Sequence, residues 1–132
     1  MADIYTKLHG TTTDRFKIGL KNQRATLSGI TTNTATIELL DRDGLKFTAE
    51  STVFFTAYVV GKGVNTAAYE IKGCYLQGTT TISGYVTNTF VDTNNFTEPT
   101  INFDSDGEMT VTCTGVGTDT ISWTAVIDVV SI

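Results

Sequence analysis

The chain has 132 residues, including 27 Thr, 12 Gly, 2 Cys, 1 His and 1 Pro, and a formal net charge of -5. This length fits one domain that buries roughly two thirds of its unfolded surface, and 40% apolar with 10% aromatic residues is too rich for a disordered chain. Two cysteines cannot build a disulfide scaffold or a four-ligand zinc site, no apolar run is long enough for a membrane span, and the acidic balance argues against nucleic acid as a partner.

The first 24 residues stand apart. Lys7, Arg15, Lys17, Lys21 and Arg24 outnumber Asp3 and Asp14, a net of +3, whereas residues 25–132 carry four basic and twelve acidic side chains, a net of −8. The segment lacks the basic-then-apolar pattern of a secretory signal. His9-Gly10-Thr11-Thr12-Thr13-Asp14 is a loop signal, and Phe16, Ile18 and Leu20 alternate with Lys17, Gly19 and Lys21 as in a short strand. The expectation is an extended basic arm over 1–24 that docks on an acidic neighbour through Lys7, Arg15, Phe16, Lys17, Ile18, Lys21 and Arg24, followed by a β domain over 25–132.

Thr, Val, Ile, Tyr and Phe dominate the body, and such side chains suit a half-buried pleated surface. Ala25 to Ile30 and Ala35 to Leu40 read as strands divided by Thr31-Thr32-Asn33. Asp41-Arg42-Asp43-Gly44 is a turn, since Asp-Gly tolerates positive φ. Thr52 to Val60 is the most apolar stretch and reads as a central strand buried on both faces. Gly61-Lys62-Gly63-Val64-Asn65 closes it. In the next strand, Ala67 to Gln77, Tyr69 and Ile71 oppose Glu70 and Lys72.

Thr79 to Val91 alternates Ile82, Gly84, Val86 and Asn88 against Thr81, Ser83, Tyr85, Thr87 and Thr89. Thr100 to Phe103 and Met109 to Thr114 flank Asp104-Ser105-Asp106-Gly107 as a hairpin. After Gly115-Val116-Gly117-Thr118, the residues Ile121, Trp123, Ala125 and Ile127 alternate with Ser122, Thr124 and Val126 in the last strand. No stretch carries a capped helical period. Eight or nine short strands at regular spacing predict an all-β, antiparallel, jelly-roll-like sandwich with threonine on its solvent faces.

Catalytic constellations are sparse. His9 lies in the arm, away from any partner that would orient it as a base. No Gly-x-Ser-x-Gly elbow occurs, and Gly61-Lys62-Gly63 and Gly115-Val116-Gly117 lack the third glycine of a nucleotide loop. Asp41-Arg42-Asp43-Gly44 and Asp104-Ser105-Asp106-Gly107-Glu108 resemble the start of a calcium loop, but Thr52 and Gly115 stand where its closing glutamate belongs. Cys74 and Cys113 read as buried thiols, with a cross-strand disulfide as the other arrangement open to them. No enzyme activity, cofactor or metal is expected.

Four segments in order carry a resemblance: Phe55-Thr56-Ala57-Tyr58-Val59-Val60-Gly61, Ala67-Ala68-Tyr69-Glu70-Ile71-Lys72-Gly73, Met109-Thr110-Val111-Thr112-Cys113-Thr114-Gly115 and Thr120-Ile121-Ser122-Trp123-Thr124-Ala125-Val126. Together, over about residues 24–130, they resemble a β-sandwich domain of tailed-bacteriophage virion proteins. Cys113 stands where that family more often has a plain β former.

The resemblance implies a virion location and a structural or attachment role. With no heptad or collagen-like run before the domain, the expected function is a capsid decoration or cement protein. It would be a homotrimer contacting the major capsid protein or another virion protein, with neither nucleic acid nor membrane as partner. The alternative is a tail-fibre, baseplate or receptor-binding module whose Tyr58, Tyr69, Tyr75 or Tyr85 stack on host surface glycans.

Overall fold

The structure is a computed structural model that describes residues 22–131. Those residues form eight strands and no helix: β1 (Asn22–Thr32), β2 (Thr36–Glu38), β3 (Val53–Lys62), β4 (Thr66–Tyr75), β5 (Ile82–Asp92), β6 (Thr100–Phe103), β7 (Met109–Thr114) and β8 (Thr120–Ser131). Five make one antiparallel sheet in the order β1-β8-β3-β4-β5, and three make a second in the order β2-β7-β6. The last strands nest beside the first, β8 between β1 and β3 and β7 beside β2, in a jelly-roll-like closure. The middle strands β3, β4 and β5 run as a meander. The expected all-β sandwich is thus the observed fold. Its first strand begins at Asn22, so Arg24 is part of a strand.

Alternation sorts the side chains of the large sheet. Val53, Phe55, Ala57 and Val59 of β3, Tyr69, Ile71 and Tyr75 of β4, and Ile121, Trp123, Ala125, Ile127 and Val129 of β8 point inward. They meet Ile101, Phe103, Met109, Val111 and Cys113 from the small sheet to form one core. Tyr75 stacks on Phe103 with ring centroids 4.2 Å apart, and Phe96 meets Trp123 edge-on at 5.7 Å. A side chain at Gly61 would have its Cβ 2.5 Å from the Trp123 ring, so glycine there lets the indole lie flat on the β3 backbone.

Two expectations are corrected. The stretch Thr52 to Val60 is buried on one face only: Phe54, Tyr58 and Val60 point away from the core, because the small sheet covers just one side of the large one. In β5 the strict alternation breaks at Gly84, whose φ of +67° inserts a bulge between the Lys72 and Cys74 partners. Ile82 therefore faces inward opposite Tyr75, while Val86 faces outward opposite Lys72.

Candidate interaction surface

The outer face of the five-stranded sheet carries an apolar band that no other element of the described chain covers. Along β3 lie Phe54, 55% exposed, Tyr58, 45% exposed, and Val60. Their cross-strand partners on β8 are Val130, Val126 and Thr124, and the β5 residues Val86 and Val91 extend the band beyond Lys72 and Ala68 of β4. Full burial of a Val or Phe side chain contributes about 1.5–3 kcal/mol, so several such residues on one flat face form a surface suited to assembly. Their sequence signal is the apolar run of β3 from Val53 to Val60, broken only by Thr56, which is the pattern of a strand with apolar side chains on both faces.

Of the residues expected to bind a partner, Lys7, Arg15, Phe16, Lys17, Ile18 and Lys21 lie outside the described residues. Arg24 projects from β1 on the same outer face. Its guanidinium donates to both carboxylate oxygens of Asp128 on β8, at 2.7 and 3.2 Å. The hydrogen bond, and then the charge, of Asp128 raises the Arg24 pKa above its ordinary value. Lys72 sits 3.6 Å from Glu70, which also accepts from the Asn88 amide at 3.3 Å. These pairs lie within the face: the row Arg24–Asp128–Thr56–Lys72 crosses between the Phe54–Val130 and Tyr58–Val126 pairs, and Glu70 stands opposite Tyr58, so the apolar side chains are interspersed with charges already paired within the chain.

The two long sides of the sandwich differ. On the β1/β2 side, Ser28 and Leu40 exchange both backbone hydrogen bonds, 2.8 and 3.1 Å, an isolated bridge that ties the β1 edge of the large sheet to the segment after β2. On the β5/β6 side, the crossing is a hydrogen bond from the Ile101 amide to the Tyr85 hydroxyl at 3.0 Å. An open groove there is lined by Thr80, Ile82, Tyr85, Thr100, Ile101 and Asn102.

The acidic turns are held by their own carboxylates. Asp104 Oδ1 accepts from the Asp106 and Glu108 amides at 2.9 Å each, with Gly107 at φ +87° completing the hairpin. Asp41 Oδ1 accepts from the Asp43 and Leu45 amides. Asp119 accepts from the Asn65 and Val64 amides, and these backbone bonds, Asn65 first, hold its pKa below the ordinary value. Among the described residues, no three of His, Cys, Asp and Glu are grouped to hold a metal ion. Both cysteines are free thiols, Cys113 in the core and Cys74 half-buried on the outer face. Of the four tyrosines considered for sugar stacking, Tyr69 and Tyr75 are buried. Tyr58 and Tyr85 are accessible, Tyr58 on the outer face and Tyr85 beside the groove.

No family model, no curated protein and no solved structure matches this chain. The class defined by the fold and surface is an antiparallel β-sandwich whose large sheet leaves one face with exposed aromatic and aliphatic side chains and, at β5, an edge with no bridging residue among those described.

Proposed function

We propose that the protein is a bacteriophage virion structural protein, a capsid decoration or cement component that coats the lattice, with residues 1–24 docking on a neighbouring subunit. The observation that carries this reading is the uncovered band of Phe54, Tyr58, Val60, Val126 and Val130. A stable protein interface buries about 800 Å² per partner around apolar anchors, and the exposed Phe54, Tyr58 and Val60 supply such anchors. Support also comes from the four resemblance segments, which fall on β3, β4, β7 and β8, all of them core strands, of which β3, β4 and β8 also carry this face.

Charge adds the second contact. The β1 start lies at the same end of the sandwich as the β6–β7 hairpin loop, because Val53 pairs with both Tyr75 and Ser131, and the Tyr75 hydroxyl donates to the Asp104 carbonyl. That end carries Glu50, Asp104, Asp106 and Glu108, the last 3.8 Å from Lys46, and a basic segment of another copy or of the shell is attracted to the acidic excess. A homotrimer around a local three-fold of the lattice is the assembly we favour.

The test is binding to particles stripped of their coat proteins, followed by sedimentation and by labelled-antibody localisation in micrographs. Saturable binding to heads supports the reading. Labelling confined to tails, together with hits on a glycan array, replaces it with the receptor-binding alternative. Deleting residues 1–20 should weaken head binding. Raising salt from about 0.15 to about 1 M should do the same, because the screening length falls from about 8 to about 3 Å.

A further inference from the structure

The large sheet has two edge strands, β1, bridged to Leu40 at Ser28, and β5, which has no such bridge among the described residues. The β5 strand runs for 11 residues, Ile82–Asp92, with hydrogen bonds to β4 on one side and no strand on the other among the described residues. Edges are blunted by lysine, proline or bulges; β5 contains no lysine or proline and its only charge is Asp92, while its two bulges, at Gly84 and between the partners of Ala68 and Tyr69, leave the run from Val86 to Thr89 regular. Apolar side chains stand along it: Val86, Val91 and Phe90, which is 67% exposed. Beside it the sandwich is open, with Ile82, Tyr85 and Ile101 in the groove between β5 and β6. A strand added to β5 would carry its inward side chains over this groove, on the side opposite the Ser28–Leu40 bridge.

The sequence supplies a strand of that character. Residues 14–21 alternate Phe16, Ile18 and Leu20 with Lys17, Gly19 and Lys21, which puts three apolar side chains on one face and lysines on the other. Lysines suit an acidic host, whose body carries −8.

Reach decides which copy donates. Asn22 lies on β1, the opposite edge of the sheet, four strand intervals from β5. At about 4.8 Å per interval, the vacant position beyond β5 is about 24 Å from Asn22. Leu20, two residues before Asn22, can stand at most about 7 Å away. A chain therefore cannot lay residues 14–21 along its own β5. We propose that residues 14–21 of one copy add as an edge strand to β5 of another copy, with Phe16, Ile18 and Leu20 covering the β5/β6 groove, so that each molecule both donates and receives a strand. This rests on the arm-docking reading above and names its site.

Hydrogen exchange on the full chain tests it, at ~1 and ~100 µM, for the wild type, Ile18→Val and Ile18→Pro. Position 18 lies ahead of the first core strand, and a proline there removes an amide that the added strand needs. The expected result is that β5 amides exchange about tenfold more slowly at the higher concentration in the wild type and Ile18→Val, and that Ile18→Pro loses this protection.

If protection persists in Ile18→Pro, β5 pairs with something other than this segment, such as another β5, and the proposal is overturned. If the wild type shows no concentration dependence, it is likewise overturned. Particle binding, measured alongside, separates the two ideas. Coating without β5 protection leaves the coat function standing and removes the strand exchange, whereas protection without coating does the reverse.

Discussion

The indole N–H of Trp123 on β8 donates to Thr31 Oγ1 on β1 at 2.9 Å, and both side chains are essentially inaccessible to solvent. Thr31 is the one buried polar residue among those described, and it is there because an indole buried in an apolar core must place its N–H somewhere. Thr31→Val keeps the shape and leaves the indole unsatisfied. It should cost about 1–3 kcal/mol, while Thr31→Ser should retain most of the stability. Urea unfolding followed by the fluorescence of the single tryptophan measures both.

Gly61 and Trp123 make a tighter relationship. A Cβ at position 61 would lie 2.5 to 2.7 Å from three ring carbons, with the ring itself packed against Phe96. The indole cannot retreat without breaking its bond to Thr31. Gly61→Ala should therefore destabilise the fold by about 1–3 kcal/mol, even though alanine normally suits a strand better than glycine. Gly78→Ala, at a turn with open space but positive φ, gives a comparison in which only backbone strain operates. The contrast appears as a disturbed tryptophan near-UV signal for Gly61→Ala alone.

Most strands were legible because their alternation is strict. Ile121, Trp123, Ala125 and Ile127 fall inward at every second position, and Asp104-Ser105-Asp106-Gly107 carries its own turn chemistry. What alternation could not convey was coverage. A strand reading Val-Phe-Phe-Thr-Ala-Tyr-Val-Val looks the same whether its second face meets a sheet of its own fold or a separate partner. Only the two-layer packing, with the small sheet on one side of the large one, shows Phe54 and Tyr58 uncovered. The bulge at Gly84 was equally hidden, because a glycine in a strand signals a bulge or a close approach without saying which. Arg24 was read by charge alone, whereas its strand register against Asp128 depends on contacts 104 residues apart.

Alkaline pH should probe two core groups. The Tyr69 hydroxyl has no hydrogen-bond partner among the described residues, and burial first, then Asp92, pushes its pKa from 10.0 to about 12. Burial pushes the Cys113 thiol from 9.0 to about 12. The folded state keeps both protons where the unfolded chain releases them, so stability falls as pH rises from about 9 toward 12. Below 9 neither group contributes to pH dependence. Tyr69→Phe removes both the orphaned hydroxyl and its titration. It should be neutral to stabilising by about 1 kcal/mol at pH 7 and should flatten the decline above pH 10. Urea midpoints at pH 7, 10 and 11 for the two proteins decide this, and an equal decline in both would show that Tyr69 is not its source.

The outer sheet face separates folding from assembly most cleanly. Phe54 and Tyr58 point away from the core, and their neighbours Val130 and Val126 support no inner contact through them. Phe54→Ser and Tyr58→Lys should each shift unfolding stability by no more than about 0.5 kcal/mol, as surface changes do. On an interface, the same changes strike aromatic anchors at its centre, where truncation costs about 2 kcal/mol or more, roughly a thirtyfold loss of affinity. Thermal melts should thus overlay the wild type while sedimentation shows loss of self-association or of particle binding. A variant that melts normally and still assembles with unchanged affinity would remove this face from the assembly and leave the β5 edge as the remaining contact.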